Sequence, residues 1–192
     1  MFNSIKTHVS LVLMLLCWAA ITVAVDAENT GAEMWLSTKV RNWYWNPDGS
    51  CVQCSIGMVG INANDPNAAS LLWDTKYGKA IRGGSWPARV ASYFQERGIR
   101  GWNVTGAENT FPWMEWAVRT RRFAAIGAGT AHFQTLYGKR NGKWLICNNQ
   151  TPGRIDEYDD VSFRRLHMQS GPWIVVLKNP SSESPQIVEW WL

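Results

Sequence analysis

The sequence predicts an α+β domain, with N-terminal helices packed on a mostly antiparallel sheet. Three observations predict it. Helical apolar patterns with recognisable ends dominate the domain up to Val118. Short apolar strands bounded by turn residues follow from Arg122 onward. Two of those strands flank Asn141-Gly142, the strongest two-residue hairpin signal, and a hairpin is antiparallel by construction.

Taken in order, residues 1–27 read as a secretory signal outside the fold, and residues 28–192 as one domain. Lys6 gives a positive start, Leu11 to Val25 an uncharged apolar run, and Val25-Asp26-Ala27 small residues for cleavage. The run is shorter than the ~20 residues a membrane-spanning helix needs. The protein is therefore expected to be secreted or periplasmic, with no membrane contact beyond this segment. Asn46-Pro47-Asp48-Gly49 is a turn. Ile56, Met58, Val59 and Ile61, set among small residues, predict a tightly packed helix that Asn62 to Asn67 ends. Gly83-Gly84 is another turn. Trp86-Pro87 opens a second helix with Val90, Tyr93 and Phe94 on one face and Gly98 past its end. Ile99 to Val104 reads as a strand. Phe111 to Val118 reads as a third helix with Pro112 in its first turn. Strands follow at Arg122 to Ile126, Ala131 to Tyr137 and Lys143 to Cys147. Asp159 or Asp160 caps a helix carrying Val161, Phe163 and Leu166. Trp173 to Leu177 is an apolar strand, and Ile187 to Leu192 an edge strand.

Composition narrows the function. The 192 residues are 46% hydrophobic and 18% charged, enough apolar mass for a real core. The net charge is +4, but the cationic side chains are scattered. Nucleic acid is therefore not an expected partner, since such a surface concentrates its basic residues. Removal of the signal leaves Cys51, Cys54 and Cys147. Exported proteins usually pair their cysteines, and an odd number leaves one thiol without an intramolecular partner.

Cys51 follows a tight turn and starts the buried helix. Free backbone N–H groups and the helix dipole there are expected to lower its pKa and populate the thiolate. The same N–H groups suit the oxyanion formed when a thiolate attacks a carbonyl. Such a nucleophile needs a base, and the base an orienting partner. His132 is the candidate base, because the other histidine after the signal, His167, falls in the late helix. The hairpin brings Asn148-Asn149 beside His132, where an amide oxygen can hold the imidazole in its useful tautomer. Cys51, Cys54, His132 and Cys147 are also zinc-compatible residue types, but with no second Cys-x-x-Cys no metal is expected.

These motifs resemble a known family. Cys51-x-x-x-Ser55-Ile56-x-Met58-Val59 is similar to the nucleophile helix of the double-glycine (bacteriocin-processing) peptidases, a branch of the papain-like cysteine peptidases. The order Cys, His, Asn and the intervals from Cys51 to His132 and from His132 to Asn148 match. Gly83-Gly84-Ser85-Trp86-Pro87 with Gly98-Ile99 resembles the middle of that domain, and Tyr158 to Phe163 with Trp173 its end. The resemblance spans about residues 40 to 178. It implies a papain-like fold, a thiol protease or related amide hydrolase acting on a peptide or protein, no cofactor, and Cys51, His132 and Asn148 as catalytic residues.

Two departures bear on activity. The family places a glutamine six residues before the nucleophile to support the oxyanion, and here Trp45 stands there. Asn46, one residue on, carries a suitable amide. The third catalytic member in this branch is usually Asp, which leaves Asn149 as an alternative to Asn148. Gly49-Ser50-Cys51-Val52-Gln53-Cys54 also resembles papain's own motif, in which the second cysteine attacks. In that register Cys54 is the nucleophile and Asp48 sits at the glutamine position. An acid there opposes an oxyanion, so Cys51 is preferred. Cys54 would then face the core, where a bridge to Cys147 is conceivable. The missing glutamine also motivates another class of function: an inactive papain-like module that binds a peptide, a cell-wall polymer or a protein partner.

Overall fold

Helix α1 runs over Cys51–Asn62, with every residue from Cys51 to Gly60 buried. The computed structural model describes residues 50–72, 85–151 and 154–178, all within one compact unit. The signal segment, Trp45, Asn46, Asp48, the Gly83-Gly84 turn and the expected strand at Ile187 to Leu192 lie outside the described residues. A helix that is apolar or small all round is a core helix, and α1 reads that way. At Gly60 an added Cβ would lie 2.7 Å from the Ala68 carbonyl carbon. That close approach lets the short helix α2, Pro66–Ala69, pack on α1. Asp65 caps α2, its carboxylate accepting from the N–H groups of Asn67 and Ala68 at 3.0 Å each. The sequence had marked this stretch only as a break.

Helix α3, Pro87–Arg97, has Pro at its first position, Gly98 left-handed at its end (φ 64°), and Val90, Tyr93 and Phe94 buried. Strand β1, Gly101–Thr105, leads into helix α4, Ala107–Arg119. This helix starts four residues earlier than expected. Gly106 (φ 96°) provides the turn, and its carbonyl accepts from Thr110 at 3.0 Å. Pro112 is therefore interior rather than in the first turn, where it forgoes one helical N–H bond.

Strands β2 (Ala124–Gly127), β3 (Phe133–Arg140) and β4 (Lys143–Cys147) come next. The β3–β4 hairpin closes on Asn141 (φ 51°) and Gly142 (φ 73°), the positive φ values that a type I′ turn requires. Strand β5, Ile155–Tyr158, was not expected from the sequence. Helix α5, Asp160–Gln169, is capped by Asp159, whose side chain accepts from Ser162 N at 2.7 Å. It buries Phe163 and His167, while Val161 is 68% exposed. Strand β6 is Trp173–Leu177.

Among the described residues these strands form one antiparallel sheet in the order β1-β6-β2-β3-β4-β5. Both faces are covered. One packs Phe133, Tyr137, Leu145, Val175 and Leu177 against α1 and α3. The other packs Leu136, Trp144, Ile146, Ile174 and Val176 against α4 and α5. The continuous apolar run of β6 follows from this double burial. Among the described residues no helix is long and apolar enough to cross a membrane.

Candidate active site

Cys51 is the first residue of α1. Its thiol lies against the backbone N–H groups of Phe133, Val52 and Cys51 itself. Phe133 follows His132 directly, so the helix start and the strand start meet at this point. The three N–H groups favour the thiolate, but burial outweighs them and pushes the Cys51 thiol above the ordinary range. This corrects the thiolate expected from the helix start. Position alone predicts acidification, whereas burial removes the water that would solvate the charge.

His132 stands between the Gly127–Ala131 loop and β3. That loop is pinned at several atoms. Ala128 N–H donates to the His132 carbonyl at 3.0 Å, Gly129 N–H to the Leu166 carbonyl at 2.8 Å, and Gln134 Nε2 to the Ala128 carbonyl at 2.9 Å. His167 Nδ1 donates to the Gly127 carbonyl at 2.6 Å. Gly129 (φ 85°) and Ala131 (φ 49°) supply the left-handed turns that let the chain re-enter the sheet at Phe133. The imidazole is thus mounted on a loop fixed from both sides.

His132 Nε2 and Asn148 Oδ1 are 3.0 Å apart. Asn148 Oδ1 also accepts the Gln150 backbone N–H at 3.0 Å, which identifies it as the oxygen. An amide oxygen only accepts, so His132 Nε2 carries the proton and Nδ1 keeps its lone pair. That is the tautomer a general base needs. Burial lowers the His132 pKa, and the Asn148 bond partly offsets this. Burial thus disfavours the charged form of each group, the Cys51 thiolate and the His132 imidazolium.

The remaining candidates lie as follows. Asn149 is buried and turned toward α1: its Nδ2 lies within reach of the carbonyls of Cys51 and Phe133 and the Ser55 hydroxyl. The β3–β4 pairing ends at Thr135 opposite Cys147, and alternation along β4 then sends Asn148 and Asn149 to opposite faces. Cys54 is buried, its sulfur 3.7 Å from Ser50 Oγ, and burial raises its pKa too. Cys51, Cys54 and Cys147 form no disulfide, so the Cys54–Cys147 bridge is not formed. Asn46, expected at the oxyanion, lies outside the described residues, as does Asp48. Among the described residues no group of three or more His, Cys, Asp or Glu side chains is arranged to hold a metal. Sequence reasoning missed Ser55 and the Phe133 N–H. Ser55 stood in the quoted motif, but only the strand register shows what it faces.

No protein-family model matches this chain, and no curated protein matches its sequence. A solved structure from Bacillus anthracis, a candidate C39-like peptidase, does match its shape. The superposition covers 71% of this chain and 90% of that one, at 13% identity and a TM-score of 0.52. At that identity the likeness concerns fold alone. The chain is an α+β protein with an antiparallel sheet, and it shares its fold with this candidate C39-like peptidase structure.

Proposed function

We propose that the protein is an exported cysteine peptidase or related amide hydrolase of the double-glycine-like branch, acting on a peptide or protein. Cys51 is the nucleophile, His132 the base and Asn148 the residue that orients it. The observation that carries this reading is the His132–Asn148 bond, which leaves Nδ1 unprotonated in the segment whose next N–H meets the Cys51 thiol.

In the reaction, Cys51 Sγ adds to the substrate carbonyl carbon as its proton passes to His132 Nδ1. The oxyanion forms against backbone N–H at the start of α1, with Asn46 as a further donor. The intermediate collapses, the C–N bond breaks, and His132 gives its proton to the leaving amine. Water, deprotonated by His132, then hydrolyses the thioester and restores the thiol.

The test is peptide hydrolysis by the purified protein. Cys51→Ala abolishes it under this reading, and retention of full hydrolysis in that variant refutes the assignment. One observation favours a second reading, an inactive module that binds a peptide, a cell-wall polymer or a protein partner: burial pushes the Cys51 thiol up, against ready thiolate formation. Failure of any thiol probe to react with the folded, reduced protein would support the binder.

A further inference from the structure

Asn149 is 1% exposed and joins the two halves of the site. Its Nδ2 lies 2.8 Å from the Phe133 carbonyl, 3.1 Å from the Cys51 carbonyl and 3.1 Å from Ser55 Oγ. The first belongs to the residue after His132. The second belongs to the residue that carries the thiol. The third is one helical turn further along α1. The geometry points to Asn149 as a positioning residue that sets the spacing between the Cys51 helix start and the His132 strand. This inference rests on the cysteine-hydrolase reading above.

The chemistry of the amide supports it. Nδ2 carries two hydrogens and faces three acceptors. The shortest contact takes one hydrogen for Phe133, and the other is shared between the Cys51 carbonyl and Ser55 Oγ. The bonds therefore run from one nitrogen to both α1 and β3. Asn149 Oδ1, by contrast, is buried and has no hydrogen-bond partner among the described residues. A buried amide oxygen left unpaired is unfavourable, so a residue selected only for core stability would seldom keep it. The donors are what this position uses. An aspartate here would set carboxylate oxygens against two carbonyl oxygens, and an apolar residue would leave α1 and β3 joined only by packing.

The position along the strand explains why one residue can do this. Asn149 lies two residues beyond Cys147, and Phe133 two residues before Thr135, so both fall just past the last ladder pair. The first turn of α1 lies within reach there, at the Cys51 carbonyl and the Ser55 hydroxyl. A side-chain amide replaces the missing ladder bond and reaches the helix as well. Asn148, one residue earlier, faces away and engages His132. Adjacent asparagines thus divide the work, one orienting the ring and the other fixing its distance from the thiol.

The test uses the full chain and iodoacetamide, so no substrate need be known. The rate of Cys51 alkylation is measured against pH for the wild type, Asn149→Ala and His132→Ala, with adducts located by mass spectrometry and melting followed in parallel. In the wild type, His132 accelerates alkylation, and His132→Ala removes that dependence. Asn149→Ala is expected to slow alkylation about 10- to 100-fold near neutral pH and to give the His132→Ala profile, because a shift of about 1 Å is enough to uncouple reacting groups. If Asn149→Ala does not fold, Asn149→Ser, which keeps one donor, is expected to give an intermediate profile. A variant that melts lower but keeps the wild-type pH profile overturns the proposal and leaves the hydrolase reading standing. A His132→Ala profile identical to wild type overturns both.

Discussion

Replacing Asn148 tests how the imidazole is held, because two substitutions there act in opposite directions. Asn148 Oδ1 accepts from His132 Nε2 and from Gln150 N, each at 3.0 Å. Asn148→Ala removes both bonds. Each is worth about 0.5–1.5 kcal/mol, and the Gln150 bond is exposed, so the loss of stability should be about 1–2 kcal/mol. The effect on reactivity should be larger, about 10- to 100-fold, since the ring loses both its orientation and its fixed tautomer. The Asn148 bond raises the His132 pKa against the lowering effect of burial. Without it the pKa falls further, and the acid limb of the Cys51 alkylation profile moves to lower pH. Asn148→Asp keeps the acceptor and adds a negative charge that favours the imidazolium, so its acid limb moves to higher pH. The assay is the second-order rate of iodoacetamide alkylation of Cys51 from about pH 4 to about pH 8, a range that spans the ordinary imidazole pKa. Acid limbs that move in the same direction, or do not move in either variant, would refute this account of His132.

Two further outcomes follow from the fold. Gly60→Ala places a methyl group against the Ala68 backbone, which cannot swing aside as a side chain would, and should lower stability by about 1–3 kcal/mol in urea unfolding. Stability should also fall with pH below the ordinary histidine pKa. His167 is fully buried, donates from Nδ1 to Gly127, and accepts at Nε2 from the Thr110 hydroxyl at 2.9 Å. Burial lowers its pKa, so the unfolded chain takes up the proton first as pH drops. The contribution is complete above about pH 6.5 and is lost as pH falls through the folded value. The urea midpoint should be lower at about pH 5 than at about pH 8, and His167→Gln should reduce that difference; an unchanged midpoint counts against the buried neutral ring.

Local signals made much of the fold legible. Pro87 and Gly98 bracket α3, and Asn141-Gly142 sets the hairpin, because each imposes its own backbone geometry. Where the deciding contact is distant, the sequence was mute. Strand β5 reads Ile-Asp-Glu-Tyr, with little apolar alternation. It sits at the sheet edge, paired with β4 and tied to β3 by Arg140 to Glu157 at 2.7 Å. The start of α4 is hidden in the sequence because Pro112 resembles a first-turn proline, while Gly106 caps the helix five residues before Phe111. At the candidate site, chain order and hairpin spacing pointed to Cys51, His132 and the Asn148-Asn149 pair. Which asparagine meets the histidine depends on a one-residue alternation, and the state of the thiol depends on burial. Neither can be read from spacing.

The most direct measurement is the location of a single alkylation event on the folded, reduced protein. Cys51, Cys54 and Cys147 form no disulfide and are all buried, so simple exposure does not choose among them. Limiting iodoacetamide near neutral pH, followed by peptide mapping, should place the adduct on Cys51, and His132→Ala should abolish that preference. An adduct confined to Cys54 or Cys147, or Cys51 labelling that is indifferent to His132, would contradict a Cys51–His132 nucleophile.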